Sequence, residues 1–179
     1  MVCSDLENSV NFETTSPDDP GVLYAQRNRW KGEIRQEDGW VEKDYSGAPL
    51  LSRFYGAISL HWEAVALTRL KGVEGVPVYL GKPRSLSIRM TKLPGIPLDK
   101  LDREEFSEGC FHRLQSLVQQ IHSKGVAHGD LHMRNILIHE DKPSIVDFST
   151  AYAWGRLPLL DNDVFMIFDL LDLQRLYKT

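Results

Sequence analysis

The stretch His128-Gly129-Asp130-Leu131-His132-Met133-Arg134-Asn135 decides how this chain is read, together with Asp147-Phe148-Ser149 twelve residues further on. An aspartate and an asparagine stand five apart in one loop. The apolar run Ile136-Leu137-Ile138 follows, then the turn Glu140-Asp141-Lys142-Pro143, then a second short strand, Ser144-Ile145-Val146, which delivers Asp147. The order is loop, strand, turn, strand, aspartate. Two readings compete. His128 and His132 flank Asp130 at spacing two, and H-x-D-x-H can be a metal-ligand cluster or a polar turn. The other reading uses Asp130, Asn135 and Asp147 together and requires the paired strands between them.

Phosphoryl transfer from ATP needs three such groups. One carboxylate receives or orients the acceptor hydroxyl, and two oxygen ligands hold magnesium against the phosphates. The H-x-D-x-x-x-x-N plus D-F pattern resembles the catalytic and metal-binding loops of the protein-kinase-like superfamily. That resemblance implies Asp130 as the catalytic residue, Asn135 and Asp147 as magnesium ligands, and ATP as phosphoryl donor. It also implies that Asp169 or Asp172, in the last helix, bonds the loop backbone from behind, although either reads equally as a solvated helix carboxylate. His128 is expected to brace the loop.

A cation should then reach the α- and β-phosphates from the first half of the chain. Lys43, in Trp40-Val41-Glu42-Lys43-Asp44, stands where kinases place a strand lysine, and Glu63 on the next helix fits its carboxylate partner. Taken singly, each reads as a solvated surface residue. Their order along the chain favours the functional reading. Adenine is expected against the backbone of Thr91, Lys92 and Leu93, on the resemblance alone.

Departures from the kinase pattern narrow the reading. No G-x-G-x-x-G is present: Gly32 is the only glycine between Gly21 and Gly39. Ser149 replaces the D-F-G glycine, and His132 replaces the lysine common two places after the catalytic aspartate. Only thirty residues follow Ser149, without an A-P-E segment. The chain therefore looks like compact bacterial atypical kinases, similar to lipopolysaccharide-core (Kdo and heptose) kinases and to RIO-type kinases. The main expectation is a sugar or lipopolysaccharide-type hydroxyl acceptor. The alternatives are a RIO-like Ser/Thr protein kinase and a pseudokinase that binds nucleotide without turnover.

The implied fold is α+β: a two-lobed protein-kinase-like fold with a small antiparallel-sheet N-lobe and a short, mainly helical C-lobe. The boundaries read as a disordered acidic tail over 1–20, an N-lobe over 21–92 and a C-lobe over 93–179. Strands are expected over Trp30–Gln36 and Trp40–Asp44 around the Asp38-Gly39 turn, and again over Val76–Leu80 and Leu86–Met90. Two helices are expected between these pairs, Pro49–Tyr55 and Ser59–Leu70, with Ser59 capping the second. The turn-rich run Lys92-Leu93-Pro94-Gly95-Ile96-Pro97 marks the connector. A helix over Arg103–Ser123 carries the apolar stripe Phe106, Cys110, Phe111, Leu114, Leu117, Val118 and Ile121. Asp102 and Glu105 stand as its capping pair. The last helix, Asn162–Tyr177, is apolar on most sides and is expected to be buried.

Bulk properties exclude other classes. Of 179 residues, 42% are apolar, enough for a core. The formal charge of −4 comes from the first twenty residues, which hold Asp5, Glu7, Glu13, Asp18 and Asp19 and no cation. The remainder is close to neutral, without the basic field that nucleic-acid binding needs. Two cysteines, Cys3 and Cys110, build no disulfide framework. No run approaches the roughly 18–20 apolar residues of a membrane span. The expectation is a cytoplasmic protein with peripheral membrane contact left open.

Overall fold

The computed structural model describes residues 32–102, 106–155 and 161–176. The expected tail over 1–20, the start of the first strand at Trp30 and the capping-box Glu105 lie outside these residues.

Two hairpin-linked strands come first, β1 (Glu33–Glu37) and β2 (Trp40–Asp44), joined at Asp38-Gly39. Gly39 takes a positive φ of 89°, the conformation that turn requires. Helix α1 (Leu50–Arg69) follows, then β3 (Tyr79–Gly81) and β4 (Ser87–Thr91). The four strands form one antiparallel sheet in the order β1-β2-β4-β3. Lys43 pairs with Ile88 in this register, so alternation puts Val41 and Lys43 on one face and Glu42 and Asp44 on the other. Arg89 and Arg84 cover the second face: Arg89 bonds Glu42 at 2.8 Å and stacks over Trp40, and Arg84 reaches Asp44 at 2.5 Å.

Helix α1 is one continuous rod, not the two helices expected. Nothing breaks it: Ser59 lies buried in mid-helix and donates its hydroxyl to the Ser149 carbonyl at 3.1 Å instead of capping. Gly56 stays helical because it makes room for Tyr45, whose ring would lie 2.3 Å from a Cβ placed there. Leu60, Ala66, Leu67 and Leu70 seal the other side into the core with Ile88 and Met90.

The connector leads into β5 (Ile96–Pro97), which pairs with β7 (Ile136–His139), itself paired with β8 (Lys142–Ile145). Between them runs α2 (Glu108–Ser123). Its cap is Ser107, whose Oγ accepts from the Cys110 N–H at 2.9 Å and donates to Asp141 at 2.7 Å. Asp102 does not cap it; the helix starts six residues later, where the hydroxyl meets two partners at once. The expected stripe is otherwise as read: Cys110, Leu114, Leu117, Val118 and Ile121 are buried. A short pair, β6 (Val126–Ala127) with β9 (Tyr152–Ala153), brackets the motif loops. Helix α3 (Asp161–Leu176) closes the described chain.

Helix α3 corrects the expectation of burial. Phe165 and Phe168 turn inward onto Tyr152, but Met166, Ile167, Leu170 and Leu171 are exposed. The helix meets the small β6–β9 pair on one face only. Among the described residues, no helix is long and apolar enough to cross a membrane.

Candidate active site

The motif loop begins where β6 ends. His128 is buried, and its ring is held at both nitrogens. The Asp130 N–H donates to Nδ1 at 3.3 Å, which leaves the proton on Nε2, and Nε2 donates to the Val146 carbonyl at 2.9 Å. Burial holds the imidazole below its ordinary pKa of 6.5, so it stays neutral. A histidine engaged this way is a brace and has no lone pair for a metal. The H-x-D-x-H metal reading fails on that geometry.

Gly129 has φ +76°, and a Cβ there would lie 2.7 Å from Phe168 and 2.8 Å from the Thr150 carbonyl. Only glycine fits immediately before Asp130. Behind the loop stands Asp172, fully buried, which accepts the N–H groups of His128 at 2.5 Å and Gly129 at 2.9 Å. Of the two carboxylates expected there, Asp172 grips the loop, whereas Asp169 pairs with His122 Nδ1. Asn135 donates its side-chain amide to the Asp130 backbone carbonyl at 3.0 Å, and the Asn135 backbone carbonyl accepts the Val146 N–H at 2.9 Å. That last bond draws the two motif loops together.

Asp147 follows β8 in the left-handed region, φ 64° and ψ 69°. Aspartate tolerates this conformation better than most residues, at some cost in strain. The turn aims its carboxylate at Lys43. The Lys43 ammonium lies 2.6 Å from Glu63 Oε1 and 2.7 Å from Asp147 Oδ1, joining β2, α1 and the second motif loop. Burial alone would discharge this lysine; the two carboxylates outweigh it and hold Lys43 well above its ordinary pKa. Burial likewise pushes Asp147 upward, but Lys43 outweighs it and keeps Asp147 well below the usual carboxylate range. Glu63 is pushed up by its burial, against the pull of Lys43 and with the help of the Asp147 charge.

These groups line one cleft of about 260 Å³. Lys43, Glu63, Asp130 and Asp147 are on its wall, with Ser149, Thr150 and Tyr55. Gly32 and Ile34 line it as well. Gly32 and the start of β1 thus line the cleft, in a chain without the glycine-rich loop of kinases. Asn135 is not on this wall, nor are Thr91, Lys92 and Leu93. The Thr91 N–H is used by the Val78 carbonyl at 2.9 Å and the Lys92 N–H by the Gly39 carbonyl at 3.0 Å.

Two contacts escaped the sequence reading. Ser59, taken for a cap, ties α1 to the Ser149 carbonyl. Arg175 donates to Asp130 Oδ1 at 2.7 Å and to the Gly129 carbonyl at 3.0 Å. The available signal was its position one turn after Asp172 on the same helix.

Among the described residues, no group of three His, Cys, Asp or Glu side chains could hold a metal alone. Magnesium does not ask for one: it takes one or two carboxylates and completes its shell with waters and phosphates. The oxygen donors of Asp147 and Asn135, on loops bonded to each other, fit that habit.

Comparison with known proteins agrees with this architecture. The RIO domain model matches residues 59–176. A probable bifunctional tRNA threonylcarbamoyladenosine biosynthesis protein of Thermoplasma acidophilum is 31% identical over 184 residues, spanning 91% of this chain and 34% of the relative. A protein of the same name from Methanosarcina acetivorans is 32% identical over 81 residues, 45% of this chain and 14% of the relative. The chain thus spans about a third or less of these curated relatives. In structure it is similar to the Rio2 kinase of Chaetomium thermophilum, solved with ADP, Mg2+ and phosphoaspartate. The TM-score is 0.61 at 16% identity, over 81% of this chain and 50% of that one. The two-lobed kinase-like fold is therefore established, and the RIO-like alternative displaces the sugar or lipopolysaccharide acceptor as the better-supported reading. The chain belongs to the RIO domain family, within the protein-kinase-like superfamily.

Proposed function

We propose that this chain is an ATP- and magnesium-dependent phosphotransferase that moves the γ-phosphoryl group to a hydroxyl, with a serine or threonine side chain as the favoured acceptor. The observation that carries this is the bridge from Lys43 to Glu63 and Asp147 in a cleft shared with Asp130. Lys43 would anchor the α- and β-phosphates, and Glu63 would hold it there. Asp130 would orient the acceptor hydroxyl and take up its proton. Asp147 and Asn135 would hold magnesium, which neutralises charge on the phosphates when bound. Adenine would lie against the connector at Leu93, since the Thr91 and Lys92 N–H groups already donate to the Val78 and Gly39 carbonyls. Catalysis in such a site is mostly positioning and charge stabilisation.

Asp147→Ala should abolish magnesium-dependent ATP binding, read by thermal shift. Asp130→Ala should keep that binding and remove transfer, read as labelled phosphate on dephosphorylated casein or on the chain itself. Transfer that survives Asp130→Ala would sink the mechanism. ATP binding by the wild type without any transfer would favour a pseudokinase instead.

A second reading is favoured by the Thermoplasma relative, 31% identical across 91% of this chain. The same chemistry would then serve tRNA threonylcarbamoyladenosine synthesis, with this chain as the kinase part. Mass spectrometry of tRNA from cells lacking the chain tests it: a fall in that nucleoside supports this reading, and an unchanged level rejects it.

A further inference from the structure

We propose that Arg175 is a positioning residue for Asp130: it holds one carboxylate oxygen so that the other faces the acceptor hydroxyl. This rests on the assignment of Asp130 as the acceptor-orienting group.

Asp130 sits in a loop whose backbone is well tied, and its carboxylate is half-exposed. Two side chains approach it. His132 Nε2 lies 3.4 Å from Oδ2, too long for a firm bond. Arg175 Nη1 lies 2.7 Å from Oδ1 and also donates to the Gly129 carbonyl at 3.0 Å. One nitrogen therefore ties the carboxylate to the backbone that carries it. One turn earlier on α3, Asp172 accepts the His128 and Gly129 N–H groups. A single turn of helix thus presents an acceptor and a donor to three consecutive residues. The sequence lacks the lysine that many kinases place two after the catalytic aspartate, and Arg175 brings a cation to Asp130 from another direction.

A half-exposed ion pair contributes little to stability, so the value of this contact lies in geometry. Oδ1 is held and Oδ2 is left for the substrate. A misplacement of about 1 Å at such a group can cost on the order of 100-fold in rate. A lysine would supply the charge on a flexible stem, as a point charge whose N–H directions are not set by a plane.

The experiment follows steady-state Mg-ATP turnover as ADP release, with and without dephosphorylated casein. Arg175→Ala should lower kcat by about 10- to 100-fold and leave the KM for Mg-ATP and the Tm nearly unchanged. Arg175→Lys should recover part of the loss. Millimolar guanidinium should restore turnover to Arg175→Ala but not to Asp130→Ala. The double variant should be no slower than Asp130→Ala alone. Unchanged turnover in Arg175→Ala overturns the inference. So does a loss in parallel with Tm and ATP affinity, which would mark a structural strut, or a rise in turnover, which would mark a latch. If the alanine variant does not fold, the lysine variant carries the same comparison: full wild-type kcat in a folded Arg175→Lys overturns the directional role. A wild type without turnover overturns the phosphotransfer reading itself, and this inference with it.

Discussion

At the scale of single residues, the site is a problem of burying charge. Lys43 and Glu63 are drawn out of water; the ammonium is held there by Glu63 and Asp147 together, and Glu63 is held by Lys43 against its own burial and the like charge of Asp147. Three charges leave the cluster with one net negative charge, an electrostatic invitation to a cation that arrives with the nucleotide. His128 shows the opposite solution, being buried and kept neutral. Its folded pKa lies below the unfolded value of 6.5, so the unfolded chain binds more protons as the medium acidifies. The stability that follows from this is present above pH 6.5 and is lost as pH falls below it. Tm measured from pH 7.5 to 5 should drop more steeply for the wild type than for His128→Asn; equal slopes would refute the assignment. Asp147, held well below the usual carboxylate range, stays ionised across that whole window. Its contribution is lost only as pH falls below the ordinary carboxylate pKa of 3.8.

At the scale of elements, strand register and helix faces decide which side chains reach the site. The Asp38-Gly39 hairpin sets the register that turns Lys43 inward, and α1 presents Glu63 and Ser59 along one side. Helix α2 is a core element whose stripe was legible because five apolar residues recur at helical spacing. Its start was not legible. Asp102 and Glu105 read as the capping pair, but the cap is Ser107, whose hydroxyl also meets Asp141, far away in sequence. Ser107→Ala should cost about 0.5–2 kcal/mol in urea unfolding, with no change in ATP affinity; Asp102→Ala should cost almost nothing. Ser59 was misread for the same reason. A serine before an apolar run is a good cap in isolation, but here the helix continues through it because the Ser149 carbonyl offers its hydroxyl a partner.

At the scale of the whole molecule, the cleft exists because two parts of the chain share it. Lys43 and Asp147 are 104 residues apart and meet at 2.7 Å. Mg-ATP bound between them should stabilise the chain by about 2.7 kcal/mol at a hundredfold excess over Kd. That gain is the thermal shift whose loss in Asp147→Ala tests the proposed metal role. The motif spacing is local, so the loop–strand–turn–strand order and the candidates Asp130, Asn135 and Asp147 were legible in it, whereas the α+β class and the candidates Lys43 and Glu63 came through the resemblance to kinases. A sequence pattern can report what lies within a turn of a helix or a pair of strands. It cannot report which distant groups converge. It took the packed elements to show that Asp172 and not Asp169 grips the loop, that both His128 nitrogens are engaged, that Ile34 of β1 lines the cleft and that Arg175 meets Asp130. Each is set by where packed elements bring their side chains, and packing is a property of the whole core.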